Sequence, residues 1–240
     1  RLTNTRKLLL VEGDDLKFLK RFQQAIGNVN KYCIDEIPNA PIDGWNGWAS
    51  ARKLAHVFHR NFGKEFEIYV LLDRDLHSTE ATDQRCREAN DSGIHLNIWS
   101  KKEIENYLLI PGAIARALNS RSKGRKFSNV EVSTLLEQLA VSLKEEAVFT
   151  IAEKNRGDRK GASIEEWLAA ARREFDLLVE ERGLLSVVGG KKLLSKLFEH
   201  CKQEFGVQIS SATISEHLKP EDVHGDVARF IACVCDSKHV

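Results

Sequence analysis

The chain has 240 residues, 42% of them hydrophobic and 30% charged, with a net charge of +1. That composition describes an ordinary globular protein with ample core, large enough for one big domain or two small ones. No apolar run approaches the ~20 residues of a membrane helix, and the near-neutral balance will not by itself attract nucleic acid, which would have to be met by local basic patches or metal ions.

The first element is the stretch KLLLVEGDDLKFL, Lys7 to Leu19. Leu8 to Val11 is a continuous apolar run, as in a strand buried on both faces of a parallel sheet. Glu12 falls at its carboxyl end, where open α/β sheets place their ligands. Gly13 permits a tight turn, and Asp14 or Asp15 caps a helix carrying Leu16, Phe18, Leu19 and Phe22. Tyr32 to Ile37 alternates weakly and predicts a second strand, with Pro38, Pro41 and Gly44 marking the loop after it. Trp45 to Phe62 has helical apolar spacing through Trp48, Leu54, Ala55 and Phe58. Trp45 and Trp48 could stack on nucleobases, but aromatics at this spacing more often pack in a core. His56 and His59 share a helical face that lacks a third metal ligand, so a solvated face is expected.

Phe66 to Asp75 (FEIYVLLDRD) repeats the first design, a β-rich strand ending in Asp73 and Asp75. A polar helix from Ser78 to Asn90 and a strand from Ile94 to Trp99 follow, running directly into SKKEIENYLL. The first hundred residues thus read β-α-β-α-β-α-β, a doubly wound parallel sheet with acids at its strand ends. From Pro111 on the pattern is helical: Ile114 to Leu118, Val130 to Ile151, Ile164 to Val179, Leu193 to Phe205, a short helix near Ser211 to Leu218, and a last one through Val223 to Val234. Ser120 to Lys126 and Lys154 to Gly161 are basic loops. The expected fold is α/β, with a catalytic core over residues 1–110 and a helical elaboration over residues 111–240 packed on it.

Two features of composition bear on context. The five cysteines are odd in number and form no C-x-x-C pair, so free or buried thiols in a reducing cytoplasm are expected and zinc is not. Methionine is absent where ordinary usage gives roughly five, so the sequence is expected to begin partway into a longer one. No G-x-x-x-x-G-K-[ST] phosphate loop is present, and ATP hydrolysis by that route is not expected.

Carboxylates at adjoining strand ends make a hard-oxygen site suited to magnesium or manganese. The candidates are Glu12, Asp15, Asp73, Asp75 and the Glu103/Glu105 pair. Taken singly, each acid also reads as a helix cap or a loop residue; three clusters following three strands favour a metal site. Phosphodiester cleavage needs such a site, one ion activating water and the other stabilising the leaving oxygen.

Strand-Glu-Gly together with strand-Asp-x-Asp resembles a Toprim domain, the metal-dependent module of topoisomerases, primases and some nucleases. IWSKKEIENYLLIP narrows this, since it resembles the OLD (overcoming lysogenization defect) family of ATPase-linked nucleases and their anti-phage relatives. VGGKKLL, Val188 to Leu194, is similar to that family's late Gly-Lys motif. The resemblance covers most of the chain, with strong motifs in four short stretches.

It implies a Toprim-like Rossmannoid sheet and a DNA endonuclease using two divalent metal ions, Mg2+ or Mn2+. Glu12, Asp15, Asp73, Asp75 and Glu105 would hold the metals, with Glu103 a second or alternative ligand. Lys191, or failing it Lys192, would stabilise charge at the scissile phosphate; without the resemblance Lys191 reads as a solvated first-turn residue. It also implies DNA as a partner, an N-terminal ABC-type ATPase region on the full chain, and is compatible with a homodimer. The family commonly spaces its Glu and helix-start Asp four apart, whereas Glu12 and Asp15 are three apart; a methionine lost between Gly13 and Asp14 would restore the spacing. His77 reads as a loop histidine and Tyr107 as a packing residue. Two other readings remain open: a haloacid-dehalogenase-like phosphatase built on Asp73-x-Asp75, which leaves Glu12 and Glu105 without a role, and a non-catalytic Toprim module serving regulation or oligomerisation.

Overall fold

The computed structural model describes residues 6–13, 15–27, 33–63, 65–155 and 163–235. They form two compact units, one of residues 1–100 with 218–240 and one of residues 101–217. The division falls at Ser100, ten residues before the boundary expected from the sequence, and the end of the chain groups with the sheet.

The first unit is built on four parallel strands, β1 (Lys7–Glu12), β2 (Asn39–Ile42), β3 (Glu67–Leu72) and β4 (Ile94–Ile98), in the order β2-β1-β3-β4. β1 and β3 are central, and their apolar runs Leu8 to Val11 and Ile68 to Leu72 are buried, as two-sided cover demands. Helices α1 (Asp15–Ile26), α2 (Cys33–Glu36), α3 (Trp48–Phe62) and α4 (Thr79–Asp91) connect them. Trp48, Ala51 and Ala55 of α3 join Leu8, Leu10, Ile68, Val70 and Leu72 in one core cluster. Ser78 caps α4, accepting the Ala81 N–H at 3.2 Å.

The second strand is not where the sequence pattern puts it. Cys33 to Glu36 forms a single helical turn, with Ile34 fully buried, and the strand is Asn39–Ile42, inside the expected loop. Pro41 is tolerated because β2 is an edge strand that pairs only with β1. The Leu9 N–H donates to the Pro38 carbonyl at 2.9 Å, so pairing begins at the residue that looked like a breaker.

The second unit is helical. A 3-10 turn over Ile104–Leu108 leads to α5 (Pro111–Arg121), α6 (Asn129–Val141), α7 (Lys144–Lys154), α8 (Ile164–Arg182), α9 (Leu184–Val187), α10 (Gly190–Phe205) and α11 (Ser211–Glu216). The apolar pattern of Val130 to Ile151 is split by a break at Ser142 and Leu143, whose buried side chain anchors the joint. A capping box of Ser163 and Glu166 starts α8.

The last helix, α12 (Gly225–Cys235), returns to the first unit. Lys7 Nζ donates to the Val234 carbonyl at 2.8 Å, a cation on a helix C-terminus, and Phe230 meets Trp99 edge-on. Cys33 and Cys235 close a disulfide with Cα atoms 5.6 Å apart across 202 residues. This corrects the expectation of free thiols throughout: Cys86, Cys201 and Cys233 are free, and the return of α12 to α2 brings the other two together. The α/β class is as expected, a parallel Rossmann-like sheet with a helical elaboration. Among the described residues no helix is long and apolar enough to cross a membrane.

Candidate active site

The strand order fixes where a ligand site belongs. From β1 the chain crosses to β2 on one side, then passes back beyond β1 to β3 and β4 on the other. The carboxyl ends of β1 and β3 therefore flank a topological switch point, the crevice in which open α/β sheets bind ligands. Glu12 is the last residue of β1, and Asp73 is the first after β3. Leu10 pairs with Val70, so continuing that register sets Glu12 beside Leu72, one residue short of Asp73.

Glu12 is half-buried, and its carboxylate lies on the bare face of Gly44, in the loop after β2. A Cβ at Gly44 would stand 2.8 Å from both Glu12 oxygens, and Gly44 has φ +42°. Glycine is required there twice over, for conformation and for space. Asp15 opens α1 with only 6% of its surface exposed, and Asp14 lies outside the described residues.

Asp73 and Asp75 are half-buried. Asp75 has φ +50°, a left-handed conformation that costs a non-glycine residue about 1–2 kcal/mol. Its neighbours hold it from both sides. The Trp45 indole N–H donates to the Asp73 carbonyl at 2.8 Å, and the Trp45 ring stacks on His77 with centroids 3.5 Å apart. The His77 N–H donates to the Arg74 carbonyl at 3.2 Å and closes the turn. Arg85 lies over both indoles, 4.8 Å from the Trp45 centroid and 5.3 Å from that of Trp48. Trp48 donates to Glu88 at 2.6 Å, and hydrogen bonds from Gln84 and Trp48 hold the Glu88 carboxyl below the usual range. Both tryptophans are engaged within the unit: Trp48 packs in the core as expected, and Trp45 is half-buried against His77 and Arg85. His59 bonds to the Phe66 carbonyl at 3.1 Å, while His56 is exposed.

In chemical type, the four carboxylates Glu12, Asp15, Asp73 and Asp75 fit a hard divalent cation. Among the described residues, no three His, Cys, Asp or Glu side chains are close enough together to ligate one ion.

The remaining candidates belong to the second unit, where two separate motifs interlock. Asn106, fully buried, donates to the carbonyls of Leu185 at 2.7 Å and Val188 at 2.9 Å, and its Oδ1 accepts the Glu103 N–H at 3.0 Å. Gly190 presses on it so closely that a Cβ there would be 2.6 Å from the Asn106 nitrogen. Glu103 Oε1 accepts the Lys191 N–H at 2.8 Å, and Oε2 lies 3.6 Å from Lys102 Nζ. Glu105 is half-buried in the 3-10 turn. Tyr107 is 1% exposed, its hydroxyl accepting the Lys101 N–H at 3.3 Å, so it packs.

Lys191 is exposed, and among the described residues its ammonium makes no ion pair; Lys192 pairs with Glu146. In the first basic loop, Ser120 and Arg121 belong to α5, and Arg125 pairs with Glu131 and covers the rings of Phe127 and Phe205. Most of the second, residues 156–161, lies outside the described residues. Sequence reasoning missed Gly44, Trp45 and Asn106 as structural partners of the acids. The only local signal was the Asp-Gly-Trp run in the expected loop. No family model, curated protein or solved structure matches this chain.

Proposed function

We propose that this chain is a divalent-metal-dependent endonuclease that cleaves DNA phosphodiesters, the nuclease region of a larger ATPase-nuclease. The observation that carries the reading is the set of acids at the switch point: Glu12 ends β1, and Asp73 and Asp75 follow β3, its neighbour in the sheet. The resemblance of the motifs to OLD-type Toprim nucleases supplies the reaction.

Glu12, Asp15, Asp73 and Asp75, all in the first unit, would supply the carboxylates for two Mg2+ or Mn2+ ions. When bound, such ions lower the pKa of an attacking water and neutralise charge developing on the phosphate. The chain's own residues do the rest. Gly44 leaves the Glu12 carboxylate its seat, and Trp45 fixes the Asp73 backbone so that the side chains on either side of Arg74 keep their direction. Lys191, in the second unit, is exposed and its ammonium pairs with no described carboxylate, and the motif resemblance is what supports it as a phosphate-binding cation.

The test is relaxation of supercoiled plasmid with magnesium, manganese or EDTA, by this protein and by Asp73→Ala. Metal-dependent nicking that disappears in the variant is expected. A folded sample that nicks under no metal overturns the reading, and turnover of p-nitrophenyl phosphate without nicking makes the protein a phosphatase instead.

A further inference from the structure

α3 carries more charge than its packing explains. Its 15 residues, WASARKLAHVFHRNF, include Arg52, Lys53 and Arg60 with two histidines, and no acid. The chain as a whole is nearly balanced at +1, and solvated helix faces ordinarily mix the two signs. Here one sign is concentrated on one element.

Two of these groups have local work. Arg52 Nε donates to Ser92 Oγ at 3.0 Å, and its Nη1 lies 3.9 Å from Glu88. His59 meets the Phe66 carbonyl at 3.1 Å, and its ring takes the space left by the missing Cβ of Gly93. Lys53, His56 and Arg60 differ. All three are exposed, and among the described residues their side chains make no ion pair or hydrogen bond. They stand at i, i+3 and i+7, so they share one stripe of the helix. Arg60, in the last turn, suits the helix dipole; Lys53 and His56 lie too far from that end to owe their place to it.

The stripe borders a groove. Lys53, His56 and His59 form one wall, and Asp91, Ser92 and Gly93, at the turn from α4 into β4, form the other. The helix also starts beside the switch-point acids. Gly44 adjoins the Glu12 carboxylate and Trp45 holds the Asp73 carbonyl, just before α3 begins at Trp48. All of these residues belong to the first unit. Lys53 to Arg60 spans about 10 Å (7 × 1.5 Å), the axial length of about three base steps of a nucleic-acid strand. An anionic membrane surface fits less well, because the apolar side of α3 is committed. Trp48, Ala51 and Ala55 are buried in the core, and Phe62 packs on Phe58 and Phe66.

We infer that Lys53, His56 and Arg60 form a nucleic-acid surface, a basic track along α3 that holds the sugar-phosphate backbone as it leads away from the acids. What the track delivers to the acids rests on the nuclease reading; the binding itself does not.

The test is anisotropy of a fluorescently labelled DNA duplex of random sequence, titrated with the full chain in EDTA across a salt series. Each phosphate contact contributes about 0.9 to the slope of log affinity against log salt. Lys53→Gln/Arg60→Gln is therefore expected to flatten the slope by about 1.8 (2 × 0.9) and to weaken binding at ~0.1 M salt by about tenfold or more. Arg173→Gln/Lys202→Gln removes the same two charges from exposed positions that make no ion pair among the described residues, and is expected to keep the parent slope. The exchange Lys53→Arg/Arg60→Lys keeps the charges and should also keep the slope, which separates loss of charge from loss of fold.

Equal slopes in the parent and Lys53→Gln/Arg60→Gln overturn the inference, as does an equal loss in Arg173→Gln/Lys202→Gln. A parent that ignores the duplex and binds phosphatidylserine vesicles overturns it in favour of a membrane surface. Binding that depends on Lys53 and Arg60, in a protein that nicks under no metal, upholds the track and defeats the nuclease reading.

Discussion

Replacing Gly44 with alanine puts the switch-point site to a direct test. The new Cβ would sit 2.8 Å from each Glu12 oxygen, and ordinary contact begins at 3.4 Å, so the carboxylate must retreat by about 0.6 Å (3.4 − 2.8). The backbone pays separately, because φ is +42° and an L-residue in that region costs about 1–2 kcal/mol. For a chain of this size that strain lowers the melting temperature by roughly 2 to 8 °C. Gly206→Ala is the matched control: φ is +64° and nothing lies within 4 Å of its Cβ, so it carries the strain without the collision. Displacement of a reacting group by 1 Å costs about a hundredfold in rate, so a shift of this size should cost on the order of tenfold in nicking. Thermal melting, Mn2+ titration and plasmid nicking are measured on both variants. Equal Mn2+ affinity and equal nicking in Gly44→Ala, Gly206→Ala and the parent would refute the claim that Gly44 seats a functional carboxylate.

Trp45→Phe keeps the stack on His77 and removes the donor to the Asp73 carbonyl, so it should lose about 1 kcal/mol, or roughly 2–4 °C in melting temperature, with a larger proportional loss of nicking. Reducing the Cys33–Cys235 bond, which closes 202 residues of chain, should lower unfolding stability by up to about 5 kcal/mol on the chain-entropy account, and Cys235→Ser should match the reduced parent in urea titration; no change on reduction would mean the bond does not form. The Cys201 thiol is buried and its pKa is pushed up from 9.0 to about 11 by burial. The folded protein therefore holds that proton after the unfolded chain has released it. Stability from this group is intact below pH 9 and is lost as pH rises from 9 to about 11, a decline that Cys201→Ala should abolish in pH-dependent melts.

The legible parts of the fold were those decided by local pattern. β1 and β3 announce themselves because two-sided burial writes an unbroken apolar run, and the acids that follow each run were visible for the same reason. β2 was illegible: Asn39-Ala-Pro-Ile has almost no strand propensity and becomes a strand only by pairing with β1, while the alternating pattern of Tyr32 to Ile37 falls, from Cys33 on, in a segment that the sheet does not use. The seat under Glu12 and the Trp45 brace depend on a loop meeting strands from elsewhere in the chain, which no spacing rule encodes. The same holds for the grip of Glu103 on Lys191. The sequence shows both as charged residues in motifs, and only the fold shows the carboxylate already occupied.

The return of α12 to the sheet has a consequence during synthesis. Residues of the first unit lie on both flanks of the second, so the sheet waits for Lys7's partner carbonyl at Val234 and Cys33's partner at Cys235. From Ser100 to Cys235 the ribosome adds 135 residues (235 − 100), about 7 to 27 s at 5–20 residues per second. Throughout that interval the strands of the first unit are translated but lack α12, while the second unit has all its residues once His217 is added. Strictly N-to-C completion is therefore closed to the first unit, whose last helix is translated after the whole of the second.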